Sequence, residues 1–132
     1  MITRLGAVVL AAAFSMGPAF SDEAGKEEYI NACASCHGEA AAGDGPLADL
    51  MTVPVPALTG LSAANDGKFP MLDVIHTIDG RQGTRGHGYP MPVWGKRFST
   101  DNSSDYWSGY GQEANVRGRI LSIALYLESI QE

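Results

Sequence analysis

Helices are the only regular elements this sequence predicts, on three observations. Apolar residues recur at spacings of three and four through residues 70–79 and 113–131, the period of a helix with one buried face. No strand–helix–strand alternation runs along the chain. Cys33, Cys36 and His37 stand at i, i+3 and i+4, so a single helical turn sets all three on one face.

The first residues read as an address. Arg4 is a short positive region, Leu5 to Phe14 an apolar run, and Ala19-Phe20-Ser21 offers small residues for cleavage before Asp22. Residues 1–21 are therefore expected to be a signal peptide. The run falls short of the ~20 residues a membrane span needs, so no stable membrane insertion is expected after cleavage; a retained N-terminal anchor is the alternative. Residues 22–132 make one domain, too small to bury a large apolar core of its own.

Residues 23–35 read as the first helix, with acidic side chains in its first turn, where the helix dipole favours them. Gly25, Tyr29 and Cys33 share a face. A glycine there costs about 1 kcal/mol against alanine, which close approach of another helix would explain. Residues 38–69 are rich in Gly, Pro and Ala. Gly43-Asp44-Gly45-Pro46 is a turn, Leu47 to Met51 a short helix, and Val53-Pro54-Val55-Pro56 extended, because proline pushes its predecessor out of the α region. This segment reads as a loop wrapped over something apolar.

Residues 70–79 form a second helix, opened by Pro70 and stopped by Gly80. Met71, Val74, Ile75 and Ile78 are its stripe; His76 falls outside it and is expected in solvent. Residues 80–97 lack a period. Such a long loop in a compact domain is usually functional, and Pro90-Met91-Pro92-Val93-Trp94-Gly95 stiffens its end. Residues 98–112, polar with Tyr106, Trp107 and Tyr110, read as a surface loop pinned by its rings, or a docking surface. Residues 113–131 are the strongest helix, with Val116, Ile120, Ile123, Leu127 and Ile130 on one stripe and Gly118 as a second place for close approach.

The chemistry lies in Cys33-Ala34-Ser35-Cys36-His37, which holds both cysteines of the chain. C-x-x-C-H is the pattern of covalent c-type haem attachment: two thiols reach the vinyl groups on one porphyrin edge and the imidazole reaches iron. A thioredoxin-like dithiol would need a βαβ setting, and structural zinc about four N or S ligands. Export suits the haem reading, since c-type attachment in bacteria occurs outside the inner membrane. A thioether sulfur binds haem iron opposite histidine. Met71 and Met51 read as packing residues. Met91 sits between two prolines, 54 residues after His37, in the rigid loop a weak ligand needs. His87 is the alternative.

The chain resembles class I bacterial c-type cytochromes over most of its length after the leader. The resemblance rests on Gly25 and Tyr29 before Cys33 to Gly38, on Gly43 to Leu47, on Met91-Pro92-Val93-Trp94-Gly95, and on Ala124 to Leu127. It implies an all-α class I cytochrome c fold, three to five helices around one covalently bound haem c, with the first and last crossing near Gly25 and Tyr126. It implies His37 and Met91 as axial ligands, and a Pro46 carbonyl that accepts the Nδ1 proton of His37 and makes that ligand more basic.

The expected function is one-electron carriage, because an iron with both axial positions filled offers no site to a substrate. Methionine opposite histidine raises the potential, and Met71, Ile75, Trp94, Ile123 and Leu127 are the expected apolar shell. Arg81, Arg85, Lys96 and Arg97 are candidate propionate partners. Net charge is −6, or −7 once Arg4 leaves. That disfavours nucleic acid and suits a monomer meeting a redox donor and acceptor through their basic docking patches. The alternatives are a haem peroxidase-like enzyme or gas sensor with a labile sixth ligand, and a cytochrome subunit of a larger oxidoreductase.

Overall fold

A computed structural model describes residues 19–81, 90–101 and 109–132, and among these it contains helices and no strand. The α-helices are α1 (Ala19–Ala32), α2 (Ala34–His37), α3 (Met71–Asp79), α4 (Trp94–Asp101) and α5 (Tyr110–Ser129). Two single 3-10 turns, Ala48–Leu50 and Ala63–Asn65, lie between α2 and α3. The apolar run of the expected signal peptide, Arg85, His87, Tyr106 and Trp107 lie outside the described residues. No described helix is long and apolar enough to cross a membrane.

The main packing is α1 across α5, at the crossing that Gly25 marks. A Cβ on Gly25 would collide with the Ser122 carbonyl and come within 2.9 Å of the Tyr126 Cβ. One turn on, the rings of Tyr29 and Tyr126 meet with centroids 5.3 Å apart. Tyr29 is fully buried, and its hydroxyl donates to the Gly38 carbonyl at 2.7 Å. Arg119 of α5 forks onto the Glu28 carboxylate with two bonds of 2.9 Å and lies 3.9 Å over the Phe98 ring of α4, joining three helices at one residue.

The inward stripe of α5 is Val116, Ile120, Ile123 and Leu127, as its period requires, all buried. Gly118, offset by two residues from both Val116 and Ile120, is exposed and faces open space, so the close approach expected there does not occur. In α3, Val74 and Ile78 are buried, Met71 and Ile75 half-buried, and His76 exposed. Gly80 ends α3 in the left-handed conformation, φ 65°, its N–H returning to the His76 carbonyl.

One helix is absent from the sequence reading, and two others start earlier than it places them, α1 at Ala19 and α5 at Tyr110. Residues 94–101, divided there between two loops, form α4. Glycine and threonine make it a poor helix on propensity, and a single i, i+4 apolar pair, Trp94 and Phe98, is too little for a visible period. Packing supplies the helix: Phe98 is 1% exposed and its ring stands 5.4 Å from that of Trp94. Helix α5 also begins earlier than expected, at Tyr110, whose side chain is 90% exposed and pins nothing.

Candidate functional site

The α1 helix runs almost unbroken into the C-x-x-C-H turn. Cys33 has φ −116° between α1 and α2, yet its N–H still bonds the Tyr29 carbonyl, and the His37 N–H bonds the Cys33 carbonyl at 2.9 Å. The Tyr126–Tyr29 contact thereby fixes the start of the motif. Cys33 is buried and Cys36 half-buried, and the two sulfurs are not bonded to each other. Burial pushes the Cys33 thiol up to about 12, with the neighbouring Cys36 adding to it. A redox dithiol needs the opposite, a lowered thiol pKa.

His37 is 8% exposed. Its Nδ1 lies 3.1 Å from the carbonyl oxygen of Pro56. A carbonyl only accepts, so Nδ1 carries the proton and Nε2 keeps the lone pair of a ligand.

This partner corrects the assignment to Pro46. Backbone bonds from Gly43 to the His37 carbonyl, from Gly45 to the Cys36 carbonyl and from Leu47 to the Ser35 carbonyl lay residues 43–47 along the outside of the motif. Gly45 is needed for this, since a Cβ there would stand 2.6 Å from the carbonyl oxygens of Ala34 and Cys36. Pro46 ends in an open surface depression with Ile30, Ala34 and Ser35. The chain then returns, its Leu58 N–H bonding the Ala41 carbonyl at 2.7 Å, and presents Pro56 to the imidazole. The extended Val53 to Pro56 run was the available signal for this.

Met91 and Trp94 are half-buried and pack against the apolar core, as do Met71, Ile75, Leu58 and Phe69. Ile123 and Leu127, expected in the same shell, are buried at 0% and 3% exposure. Of the expected propionate partners, Arg81 commits its guanidinium to Asp79 and Glu113, and Arg97 lies 5.3 Å over the Trp94 ring. Lys96 is exposed.

These residues fit a haem. Two thiols and a buried imidazole share one turn, the imidazole proton is committed to a backbone carbonyl, and several large apolar side chains stay half-covered by protein. Among the described residues no three His, Cys, Asp or Glu side chains gather as a metal site.

The cytochrome c family matches residues 23–113. No curated protein and no solved structure matches the chain. The matched stretch runs from within α1 to the start of α5 and contains the C-x-x-C-H turn, His37, Pro56 and Met91. On that match, and with the helical fold that accompanies it, this chain belongs to the cytochrome c family, whose members hold haem c covalently.

Proposed function

We propose that the protein is exported, is cleaved after Ser21, and works in the periplasm as a one-electron carrier of a respiratory or dehydrogenase-linked chain. Cys33 and Cys36 would hold haem c as thioethers, and His37 Nε2 and the Met91 sulfur are the side-chain atoms that would hold its iron. Haem c, when bound, supplies the iron couple that takes up and returns one electron. His37 holds its own ring fixed through the Pro56 carbonyl, which keeps geometry constant between the two oxidation states. Trp94, Met71 and Ile75 exclude water, which disfavours the charged ferric form and raises the potential. With His37 and Met91 both holding the iron, the group would supply electron transfer rather than substrate chemistry, and the protein would carry electrons rather than act as an enzyme.

The observation that carries this reading is the bond from His37 Nδ1 to Pro56, which leaves a buried imidazole one free nitrogen beside two thiols. The acidic net charge supports a monomer that meets partners through their basic patches, at rates that fall as salt is added.

Carbon monoxide binding to the reduced holoprotein tests the closed iron. Slow or negligible binding at neutral pH is expected, together with a near-infrared methionine–ferric charge-transfer band that Met91→Ala removes. Fast, complete binding would defeat the reading in favour of a peroxidase-like enzyme or gas sensor.

A further inference from the structure

We propose that Arg81 is a positioning residue for Met91: it pins both ends of the segment that carries this side chain to one point on the helical core. The inference rests on Met91 being the second axial ligand.

The two ends meet. Where α3 stops, a Cβ on Gly80 would stand in ordinary contact with Val93, 3.4 to 3.5 Å from its side chain and Cα. Two residues on, Gly95 packs against the Asp79–Arg81 ion pair so closely that a Cβ there would overlap Asp79 Oδ1 and stand 2.5 Å from Arg81 Nε. Met91 lies two residues before Val93 and four before Gly95.

Arg81 fastens that meeting point to the rest of the fold. Its Nε and one terminal nitrogen fork onto Asp79 at 2.6 and 2.8 Å. Its terminal nitrogens reach the two Glu113 oxygens at 2.7 and 3.1 Å. Asp79 is the last residue of α3 and Glu113 lies in the first turn of α5. One guanidinium therefore ties the start of the segment to two helices while Gly95, at its end, packs on the same group. Arg is suited to this and Lys is not, because two carboxylates are bound in a planar fork.

With the clamp intact, Val93 and Gly95 are held and Met91 has few places to go. An outside ligand binds the iron only when Met91 leaves, so its apparent affinity reports the fraction of open protein.

The test is imidazole binding to the ferric holoprotein. Arg81→Gln is expected to raise the apparent affinity about five-fold, the scale of two partly exposed ion pairs. Gly95→Ala should act in the same direction, since its methyl displaces the Asp79–Arg81 pair. Molar salt should raise the affinity of the unmodified protein and have little effect on Arg81→Gln. Arg117→Gln is the control. Arg117 also pairs with Glu113, at 2.7 Å, but its side chain is 72% exposed against 29% for Arg81. It should leave the affinity unchanged. Equal affinities in the unmodified protein, Arg81→Gln and Gly95→Ala overturn the inference, as does an equal rise in Arg81→Gln and Arg117→Gln. If Met91→Ala keeps the near-infrared band, the ligand reading itself fails. If Met91→Ala loses the band and Arg81→Gln binds imidazole normally, only the clamp fails.

Discussion

His37 donates its Nδ1 proton to the carbonyl oxygen of Pro56 across 3.1 Å. A hydrogen bond of this kind fixes the ring plane and makes the other nitrogen a stronger donor to the metal. Electron density pushed towards iron favours the ferric state, so loosening the bond should raise the reduction potential. Pro56→Ala keeps the carbonyl but frees the backbone that aims it. A tenfold loss in the ferric preference of the ligand corresponds to about 60 mV in a one-electron couple, and a rise up to that size is expected. Pro46→Ala should leave the potential unchanged. Spectroelectrochemical titration of both variants separates the two prolines; a rise in Pro46→Ala alone would contradict the hydrogen bond described.

The two prolines also show what the sequence could and could not convey. C-x-x-C-H is a local pattern, and its face follows from helix geometry alone. The stripes of α3 and α5 are equally local. Which carbonyl meets His37 depends on how residues 38–58 fold back, through bonds such as Leu58 to Ala41, and both prolines follow residues that favour turns or extended chain. Helix α4 was illegible for a related reason. Phe98 is buried by α5 and by Arg119, a residue 21 positions away, so no local period announces it. The Asp79–Arg81–Glu113 cluster was hidden because Arg81 and Glu113 are 32 residues apart.

Gly25 and Gly118 should respond to alanine in opposite ways. At Gly25 the new methyl meets backbone, the Ser122 carbonyl, and the Tyr126 Cβ at 2.9 Å. Backbone at a helix crossing yields only by separating the helices, and overpacking costs about 1–3 kcal/mol, more than the roughly 1 kcal/mol gained in helix propensity. Gly118 meets nothing within 4 Å, so alanine there should gain most of that 1 kcal/mol. Thermal unfolding of the holoprotein should show Gly25→Ala melting lower and Gly118→Ala higher than the parent. Equal melting of the two variants would mean that α1 and α5 do not cross at Gly25.

Tyr29 sets an alkaline limit. Burial, more than the nearby Cys33, holds its hydroxyl well above the usual value near 10. A raised folded-state pKa gives stability that is fully present below pH about 10 and is lost as pH rises towards the folded value. Stability should therefore decline above pH 10, and tyrosinate absorbance from Tyr29 should appear only with unfolding. Tyr29→Phe strips the Gly38 carbonyl of its donor, at about 1–3 kcal/mol near neutral pH, and should remove this part of the alkaline decline. Denaturant titrations at several pH values check both effects; an unchanged alkaline limb in Tyr29→Phe would place the titrating group elsewhere.

Acid should act through the Arg81 cluster. The hydrogen bond from Arg81, followed by that from Arg117, holds the Glu113 carboxyl down to about 2, and Arg81 likewise lowers Asp79. Depressed carboxyl values give stability that is present above the unfolded values near 4 and is lost as pH falls through the folded ones. These two groups therefore leave stability flat above pH about 5 and erode it between about 4.5 and 2. In Arg81→Gln both carboxyls lose their strongest partner, so their folded values move back towards the unfolded ones and this share of the acid decline shrinks. Glu113→Gln should shrink it less, because Asp79 keeps Arg81. Chemical denaturation from pH 7 to 2, with the Met91 band followed beside helical circular dichroism, distinguishes the order expected: parent steepest, Glu113→Gln intermediate, Arg81→Gln shallowest. Superimposable acid limbs in all three would show that the cluster contributes nothing to acid stability.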